Sequence, residues 1–535
     1  MSAAHKLKTL KSRMDSLPKG RARGLAFILG FLAAFAMPPL YQIYLLIPAF
    51  SGLLWLVMAT PTRWQAFVVG WWFGAGFFAA GLYWVSFALL VDAAKFGWLI
   101  PIAIFGFAFG FGLYSAFTAW LVRAMPGGNL VGKALLLASS WTFFEWMRGW
   151  FLTGFPWNPL GSVWAFSEPL LQGASVVGVL GLSLLAALGA TLPGALLEPG
   201  RSGRLAKALN VAVLCLIVIV WGFGQQRLGE ASQEIVPDVR LRLVQPNILQ
   251  TNKWKPALRE NHMLSQLSMG AAPQRKSERP PTHVIWAETS APFFLSGHKP
   301  WLDLVGKMTP KGGLTILGAP NITSTGTPSQ GTLQVTNSIL AIDDAGKITA
   351  QYDKFHLVPF GEYVPLKKWL PLEKITQGAG SFLPGPGLRT LNLKGLPPVS
   401  PLICYEIIFS GEVVEEGGNP QWILNLTNDA WYGKTAGPYQ HFVSTRLRAV
   451  EQGLPVVRVA GTGLSGIIDG YGRVTARLAL GEQNTVDGDL PKPVPGKTIF
   501  AKYENRTPLI LIFLVGLMSF FMGGPNGQCQ RTKKA

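Results

Sequence analysis

Two textures of hydrophobic patterning divide the chain. Between residues 24 and 224 the apolar positions form long, nearly unbroken runs at 24–38, 40–60, 65–90, 96–122, 132–147, 168–197 and 207–224, and an eighth follows at 507–523. Apolar runs of roughly 20 residues with few charges predict membrane-spanning helices. Met37-Pro38-Pro39 separates the first two, and the fifth ends on Glu145 and Arg148. From 228 to 504 the runs shorten. Residues 238–244 alternate apolar and polar, and 283–287, 314–317, 338–342, 348–352, 400–403, 422–426, 456–460 and 465–469 read as further strands. Asp343-Asp344-Ala345-Gly346 and Asp469-Gly470-Tyr471-Gly472 read as hairpin turns. Helical spacing falls near 256–270, 299–308, 408–417 and 439–452. The pattern predicts an α-helical membrane bundle of about eight transmembrane helices plus one layered α/β extramembrane domain. Its boundaries are a basic tail at 1–23, seven helices within 24–227, the α/β domain at 228–504, and the eighth helix with a basic tail at 505–535.

Composition agrees with this division. Charged residues make up 14% of the 535 residues, where a soluble protein carries about a quarter. The formal net charge is +19, which by itself suggests nucleic acid, but its placement points to a membrane. Lys6, Lys8, Lys11, Arg13, Lys19, Arg21 and Arg23 precede the first run; Arg531, Lys533 and Lys534 follow the last. With the N-terminus in the cytoplasm, Arg63, Arg123, Lys133, Arg201, Arg204 and Lys207 join them on the same side, and the short opposite connections hold only Lys95 and Arg148. Basic residues gather on the cytoplasmic side of spans, so both termini are expected there. Residues 228–504 then lie on the outer face of a bacterial inner membrane, in the periplasm. The first run, followed by further spans, reads as an uncleaved anchor. The three cysteines, Cys215 in a span, Cys404 in the α/β domain and Cys529 in the tail, form neither a disulfide framework nor a metal-ligand spacing.

Three stretches of the α/β domain share one design, a strand with a reactive side chain at or just past its end: Glu288 after 283–287, Lys354 after 348–352, and Cys404 after 400–403. In open α/β sheets, sites collect beyond the carboxyl ends of strands. A glutamate, a lysine and a cysteine form a coherent acyl-transfer set. The thiolate attacks a carbonyl, the carboxylate takes and returns its proton, and the ammonium stabilises the oxyanion, with the Tyr405 backbone N–H as a second donor. Each residue alone has an ordinary reading: a core cysteine, a surface lysine, a capping or paired glutamate.

The wider context carries a resemblance. Lys354-Phe355-His356-Leu357-Val358-Pro359-Phe360-Gly361-Glu362, Asn425-Leu426-Thr427-Asn428-Asp429-Ala430-Trp431-Tyr432-Gly433, Arg448-Ala449-Val450-Glu451 and Gly461-Thr462-Gly463-Leu464-Ser465-Gly466 resemble the carbon–nitrogen hydrolase (nitrilase) superfamily. With eight spans, and with Gly154-Phe155-Pro156-Trp157 and Gln245-Pro246-Asn247 followed by Trp254, the chain resembles the apolipoprotein N-acyltransferase family. The resemblance implies a nitrilase-like αββα domain and a catalytic Glu288, Lys354 and Cys404. It further implies supporting or substrate-binding roles for Glu362, Tyr405, Glu406 and Trp254, and no cofactor or metal. The implied acyl donor is a membrane phospholipid, typically phosphatidylethanolamine. The implied acceptor is the N-terminal amine of a diacylglyceryl-cysteine lipoprotein, reached through a thioester on Cys404.

Three other readings are weaker. A membrane-tethered amidase needs one anchor, not eight. A non-catalytic binding module does not explain an intact Glu-Lys-Cys set. A transporter needs ionisable groups at midspan, whereas Asp92, Glu145 and Arg148 lie near span ends. A Cys–His arrangement with His356 or His441 also ranks below Glu-Lys-Cys. Glu145 and Arg148, three apart, are placed to pair, and residues 145–158 read as an aromatic interfacial or re-entrant element. Trp369, Leu370, Leu372 and Phe382, with Lys367 and Lys368, read as a lipid-facing lid, and Phe293-Phe294-Leu295 as a second one.

Overall fold

A computed structural model of the chain describes residues 3–125, 128–231, 234–273, 279–322, 334–365 and 382–522. The chain divides into two compact units: 1–83 with 99–229 and 502–535, and 84–98 with 230–501.

In the first unit every long apolar run holds a helix: Lys19–Ala34, Leu46–Ala59, Arg63–Leu82, Ile100–Ala124, Leu130–Met147, Ala174–Thr191, Gly200–Gly229 and Arg506–Met522. Four continuous helical stretches, Arg63–Leu90, Ala93–Ala124, Ala174–Ala195 and Gly200–Gly229, are long and apolar enough to cross a membrane; the others are shorter. Small residues bring the helices together. A Cβ on Gly76 would lie 2.0 Å from the Phe27 carbonyl oxygen, and one on Gly30 would lie 1.9 Å from that of Phe73, so these two helices meet backbone to backbone.

After the Leu130–Met147 helix the chain runs irregularly to residue 158, with a short 3-10 turn at Phe151–Thr153. Leu152, Thr153 and Asn158 have φ of +52°, +78° and +52°. Glu145 and Arg148 each bind further groups. Glu145 accepts from the Leu160 N–H at 2.8 Å and from the Ser183 hydroxyl. Arg148 donates to the Phe155 and Trp157 carbonyls at 2.7 Å each, and its guanidinium lies 5.3 Å from the Phe78 ring centre. The polar pair thus satisfies the backbone of a non-helical segment. Trp150, Phe151 and Leu152 point outward from it.

The second unit is built on two sheets. One has the order β11-β1-β2-β3-β4-β5, the other β10-β9-β8-β7-β6. In the first, β1 (Ile235–Gln245), β2 (His283–Trp286) and β3 (Leu314–Ile322) are parallel neighbours. Antiparallel β4 (Val335–Asp343), β5 (Ile348–Asp353) and β11 (Asn484–Pro491) complete it. In the second, β6 (Val399–Ile403), β7 (Trp422–Thr427) and β8 (Val456–Ala460) are parallel, followed by antiparallel β9 (Ser465–Ile468) and β10 (Val474–Leu478).

Side chains alternate across each strand, so each sheet offers one face to the other. Leu241, Leu243, Ile285 and Ile316 meet Ile403, Leu424, Leu426, Val457 and Val459 in one core. On the outer face of the first sheet, Val244, Trp286, Leu317 and Leu340 pack under the Arg259–Gly270 and Lys299–Met308 helices. The Ala436–Gln452 helix covers the second sheet. The unit is therefore an αββα sandwich. Both expected hairpin turns form, with Gly346 and Gly472 at φ of +75° and +79°. The Asp343 and Asp469 carboxylates accept the turns' own N–H groups.

Three expectations change. No helix spans 408–417; a short 3-10 turn, Cys404–Ile408, takes its place. Gly411 and Gly417, at φ of +85° and +73°, cannot continue a right-handed helix. The strands β10 and β11 were not foreseen, because Asn484–Pro491 carries charged and glycine residues on an edge. Leu295 is buried and Phe293 packs on the same core, so Phe293-Phe294-Leu295 closes the domain and is no lipid-facing lid. The expected lid residues Lys367, Lys368, Trp369, Leu370 and Leu372 lie outside the described residues. Phe382, which is described, forms a bridge with Val335.

Gly318 ties this frame to the segment after β2. A Cβ there would meet the Thr289 nitrogen at 2.4 Å and the Glu288 Cα at 2.7 Å. Gly318→Ala is expected to destabilise the domain by about 1–3 kcal/mol and to displace Glu288. Thermal unfolding of the detergent-solubilised protein checks this, and an unchanged Tm would show that the two segments are not in contact.

Candidate active site

Cys404 follows β6 at φ +52°, a left-handed conformation that only glycine adopts at low cost. The nucleophile candidate therefore stands on a sharp elbow, and its neighbours hold it there. The buried Glu406 carboxylate accepts from the backbone N–H groups of Ile403 at 2.7 Å, Phe355 at 2.9 Å and His356 at 3.1 Å, and from the Tyr352 hydroxyl at 3.1 Å. One carboxylate thus binds the elbow to the start of the Lys354 loop. Burial lifts the Glu406 pKa to about 7, against the pull of those N–H donors and Lys354.

The Cys404 carbonyl oxygen accepts from Asn425 Nδ2 at 3.3 Å and from His441 Nε2 at 3.1 Å. A carbonyl only accepts, so Nε2 carries a proton. The other His441 nitrogen lies 2.9 Å from Asp429, and Arg458 donates to the second Asp429 oxygen at 2.8 Å. Burial raises the Asp429 pKa, but Arg458 and His441 outweigh it and hold the group near 2. His441 thus braces the elbow's backbone. His356 stacks on Phe409 with ring centres 4.0 Å apart. The Tyr405 ring packs edge-on against both, its centre 5.5 Å from that of His356 and 5.0 Å from that of Phe409.

Glu288 and Lys354 lie within electrostatic reach of Cys404 at this elbow. Lys354, just past β5, is buried with its ammonium 2.8 Å from Glu362 Oε2 and 4.0 Å from Glu288 Oε1. Asn337 on β4 links the carboxylates, donating from Nδ2 to Glu288 Oε1 at 2.8 Å and Glu362 Oε1 at 3.0 Å. Glu362 Oε2 also accepts from the Val358 N–H at 2.8 Å. Glu288 Oε2 is buried and has no hydrogen-bond partner among the described residues, which leaves one carboxylate oxygen available for a proton.

The site is buried, and burial governs its charges. Burial pushes the Cys404 thiol up to about 12, with the Glu288 charge adding and Lys354 opposing. Burial likewise raises the Glu288 carboxyl, against Lys354. For Lys354, burial acts downward, but Glu362, Glu288 and Cys404 outweigh it, and the ammonium is held charged. The site thus combines a thiol and a carboxyl group that burial makes harder to ionise with a lysine whose charged form the neighbouring carboxylates favour.

Of the expected site residues, Glu288, Lys354, Glu362 and Cys404 converge, while Glu406 and Tyr405 support the elbow from behind. Trp254 is half-buried, and no hydrogen bond joins it to Glu288, Lys354 or Cys404 among the described residues. Sequence reasoning missed Asn337, although an asparagine inside a strand, where that residue is disfavoured, is a usable signal. It also missed Asp429 and Arg458, and Lys253, whose Nζ donates to the Glu288 backbone carbonyl at 2.9 Å.

Residues 29–192 match the family of the apolipoprotein N-acyltransferase N-terminal domain, and residues 280–496 match the carbon–nitrogen hydrolase family. The apolipoprotein N-acyltransferase of Rhodopseudomonas palustris is 37% identical over 94% of this chain and 95% of its own length. That of Brucella suis is 37% identical over 90% and 92%. The solved amidase of Nesterenkonia sp. AN1 aligns with 52% of this chain and 99% of its own, at 17% identity and a TM-score of 0.36. With such identity sustained from end to end of both chains, this protein belongs to the apolipoprotein N-acyltransferase family.

Proposed function

We propose that the protein moves an acyl chain from a membrane phospholipid, phosphatidylethanolamine being the expected donor, to the N-terminal amine of a diacylglyceryl-cysteine lipoprotein. Cys404 carries the chain as a thioester between the two steps. The observation that carries this reading is the convergence of Glu288 and Lys354 on a buried cysteine held at a left-handed elbow.

In the first step Cys404 Sγ attacks the ester carbonyl as its proton passes to Glu288. The oxyanion gathers beside the Lys354 ammonium, with the Tyr405 N–H as second donor. The C–O bond then breaks, Glu288 returns the proton to the leaving alkoxide, and lysophospholipid departs. In the second step the lipoprotein amine attacks the thioester and gives its proton to Glu288. The C–S bond breaks, and the proton returns to sulfur. Glu362 keeps Lys354 in place and charged. The thiol's raised pKa supports a proton transfer made during attack rather than before it.

Eight apolar runs, each with its own helix, support a multi-pass protein of the bacterial inner membrane. The basic residues gathered on one side support cytoplasmic termini and a periplasmic catalytic unit. An amidase acting on a small soluble amide has no use for so much apolar helix.

Intact mass spectrometry after incubation with phospholipid is expected to find one acyl chain on Cys404. Cys404→Ala is expected to lose both adduct and turnover, and Cys404→Ser nearly all turnover, because a hydroxyl is far less acidic than a thiol; turnover by Cys404→Ala would refute the nucleophile. Reporter fusions after residue 490 are expected to be active in the periplasm, and fusions after residue 535 in the cytoplasm; a cytoplasmic reporter at 490 would reverse the orientation. Glu362→Gln removes the strongest upward pull on the Lys354 ammonium. The pH at which activity falls on the alkaline side is therefore expected to move down, with a stability loss of about 3–5 kcal/mol. A pH–rate profile with an unmoved alkaline limb would exclude Glu362 as the group that keeps Lys354 charged.

A further inference from the structure

The helix Gln250–Lys253 ends on a second buried lysine beside Glu288 and Cys404. Lys253 Nζ donates to the Glu288 carbonyl oxygen at 2.9 Å. Among the described residues it makes no ion pair. Glu288 attracts it from beyond ion-pairing distance, and a buried ammonium without a close counter-ion is unusual. A merely structural contact to a carbonyl would not require a cation.

A count of charges gives it a use. Lys354 is matched by Glu362 at 2.8 Å. Cys404 and Glu288 share one mobile proton, so together they carry one negative charge whichever of them holds it. Lys354 also lies 4.0 Å from Glu288 Oε1, but with Glu362 it forms a neutral pair, so one negative charge is left unbalanced in the count. We propose that Lys253 supplies the balancing positive charge for the Cys404–Glu288 pair and so sets how readily the sulfur gives up its proton. Lys253 acts through these two groups and is a positioning residue. The inference rests on the reading of Cys404 as nucleophile and Glu288 as its base.

The groups facing Lys253 are Glu288 after β2, Cys404 after β6 and His262 on the Arg259–Gly270 helix. Burial lowers the Lys253 ammonium to about 8 against the attraction of Glu288 and Cys404. The balancing charge is thus present at neutral pH and disappears as the pH rises through about 8.

The test is the rate of Cys404 alkylation by iodoacetamide between pH 6 and 10, followed by peptide mass spectrometry on the full-length protein in detergent. Cys529 in the C-terminal tail, in the same digest, serves as an internal reference. In the wild type the logarithm of the rate is expected to climb to about pH 8 and then to climb less steeply. Lys253→Met is expected to slow alkylation about tenfold at pH 7, one unit of thiol acidity. Lys253→Arg keeps the charge and removes the titration, so it is expected to match the wild type at pH 7 and to lose the bend. A Lys253→Met profile that superimposes on the wild type overturns the proposal, as does a bend that survives in Lys253→Arg. If Lys253→Met does not fold, the bend in Lys253→Arg decides alone. A wild-type Cys404 that resists alkylation throughout, while Lys253 variants fold normally, would instead remove the nucleophile and the proposal with it.

Discussion

A β-strand that must stop, turn and present a thiol places its last residue where L-amino acids are strained. Cys404, at φ +52°, holds that position, at a backbone cost of about 1–2 kcal/mol. The surroundings determine it more than once. Glu406 gathers three N–H groups and the Tyr352 hydroxyl on one carboxylate. His441 and Asn425 grip the Cys404 carbonyl. Asp429 and Arg458 in turn fix His441. Much of the second sheet's polar interior is spent on this one turn, and strain of this kind persists only where the structure over-determines it.

The same bonds position the lysine. Because Glu406 holds the N–H groups of Phe355 and His356 as well as that of Ile403, the Lys354 loop and the Cys404 elbow cannot move independently. Asn337 then joins Glu288 to Glu362 across the end of β4. In a site this buried each charge needs a counterpart. The arrangement of two lysines among two glutamates and a thiol follows from that need as much as from the chemistry.

The catalytic unit also includes a segment from the helical half of the chain. Residues 84–98 belong with it. Trp84 is buried there, donating to Gln440 Oε1 at 2.9 Å and lying edge-on to Tyr432, with ring centres 4.6 Å apart. A Cβ on Gly437 would stand 2.8 Å from the Trp84 ring, so the start of the Ala436–Gln452 helix fits the indole only as glycine. Tyr432 in turn lies within the electrostatic reach of Cys404. A connection between two apolar helices thus belongs to the same unit as Cys404 and packs against the Tyr432 and Gln440 side chains.

Local pattern determined a good deal by itself. Eight apolar runs each hold a helix, and four of the helical stretches are long and apolar enough to cross a membrane. Nine strands were legible because alternation and β-branched runs record which faces are buried. Glu288, Lys354 and Cys404 were legible because each stands at a strand end. The failures share a cause. Residues 408–417 read as a helix until Gly411 and Gly417 took positive φ, and Phe293 and Leu295 looked like a lipid contact until the sheet above needed them. Asn337, Lys253 and the Asp429–His441–Arg458 network had no local pattern to betray them. Lys253 and Asn337 reach Glu288 from 35 and 49 positions away in sequence, and only the folded sandwich brings such partners within hydrogen-bond distance.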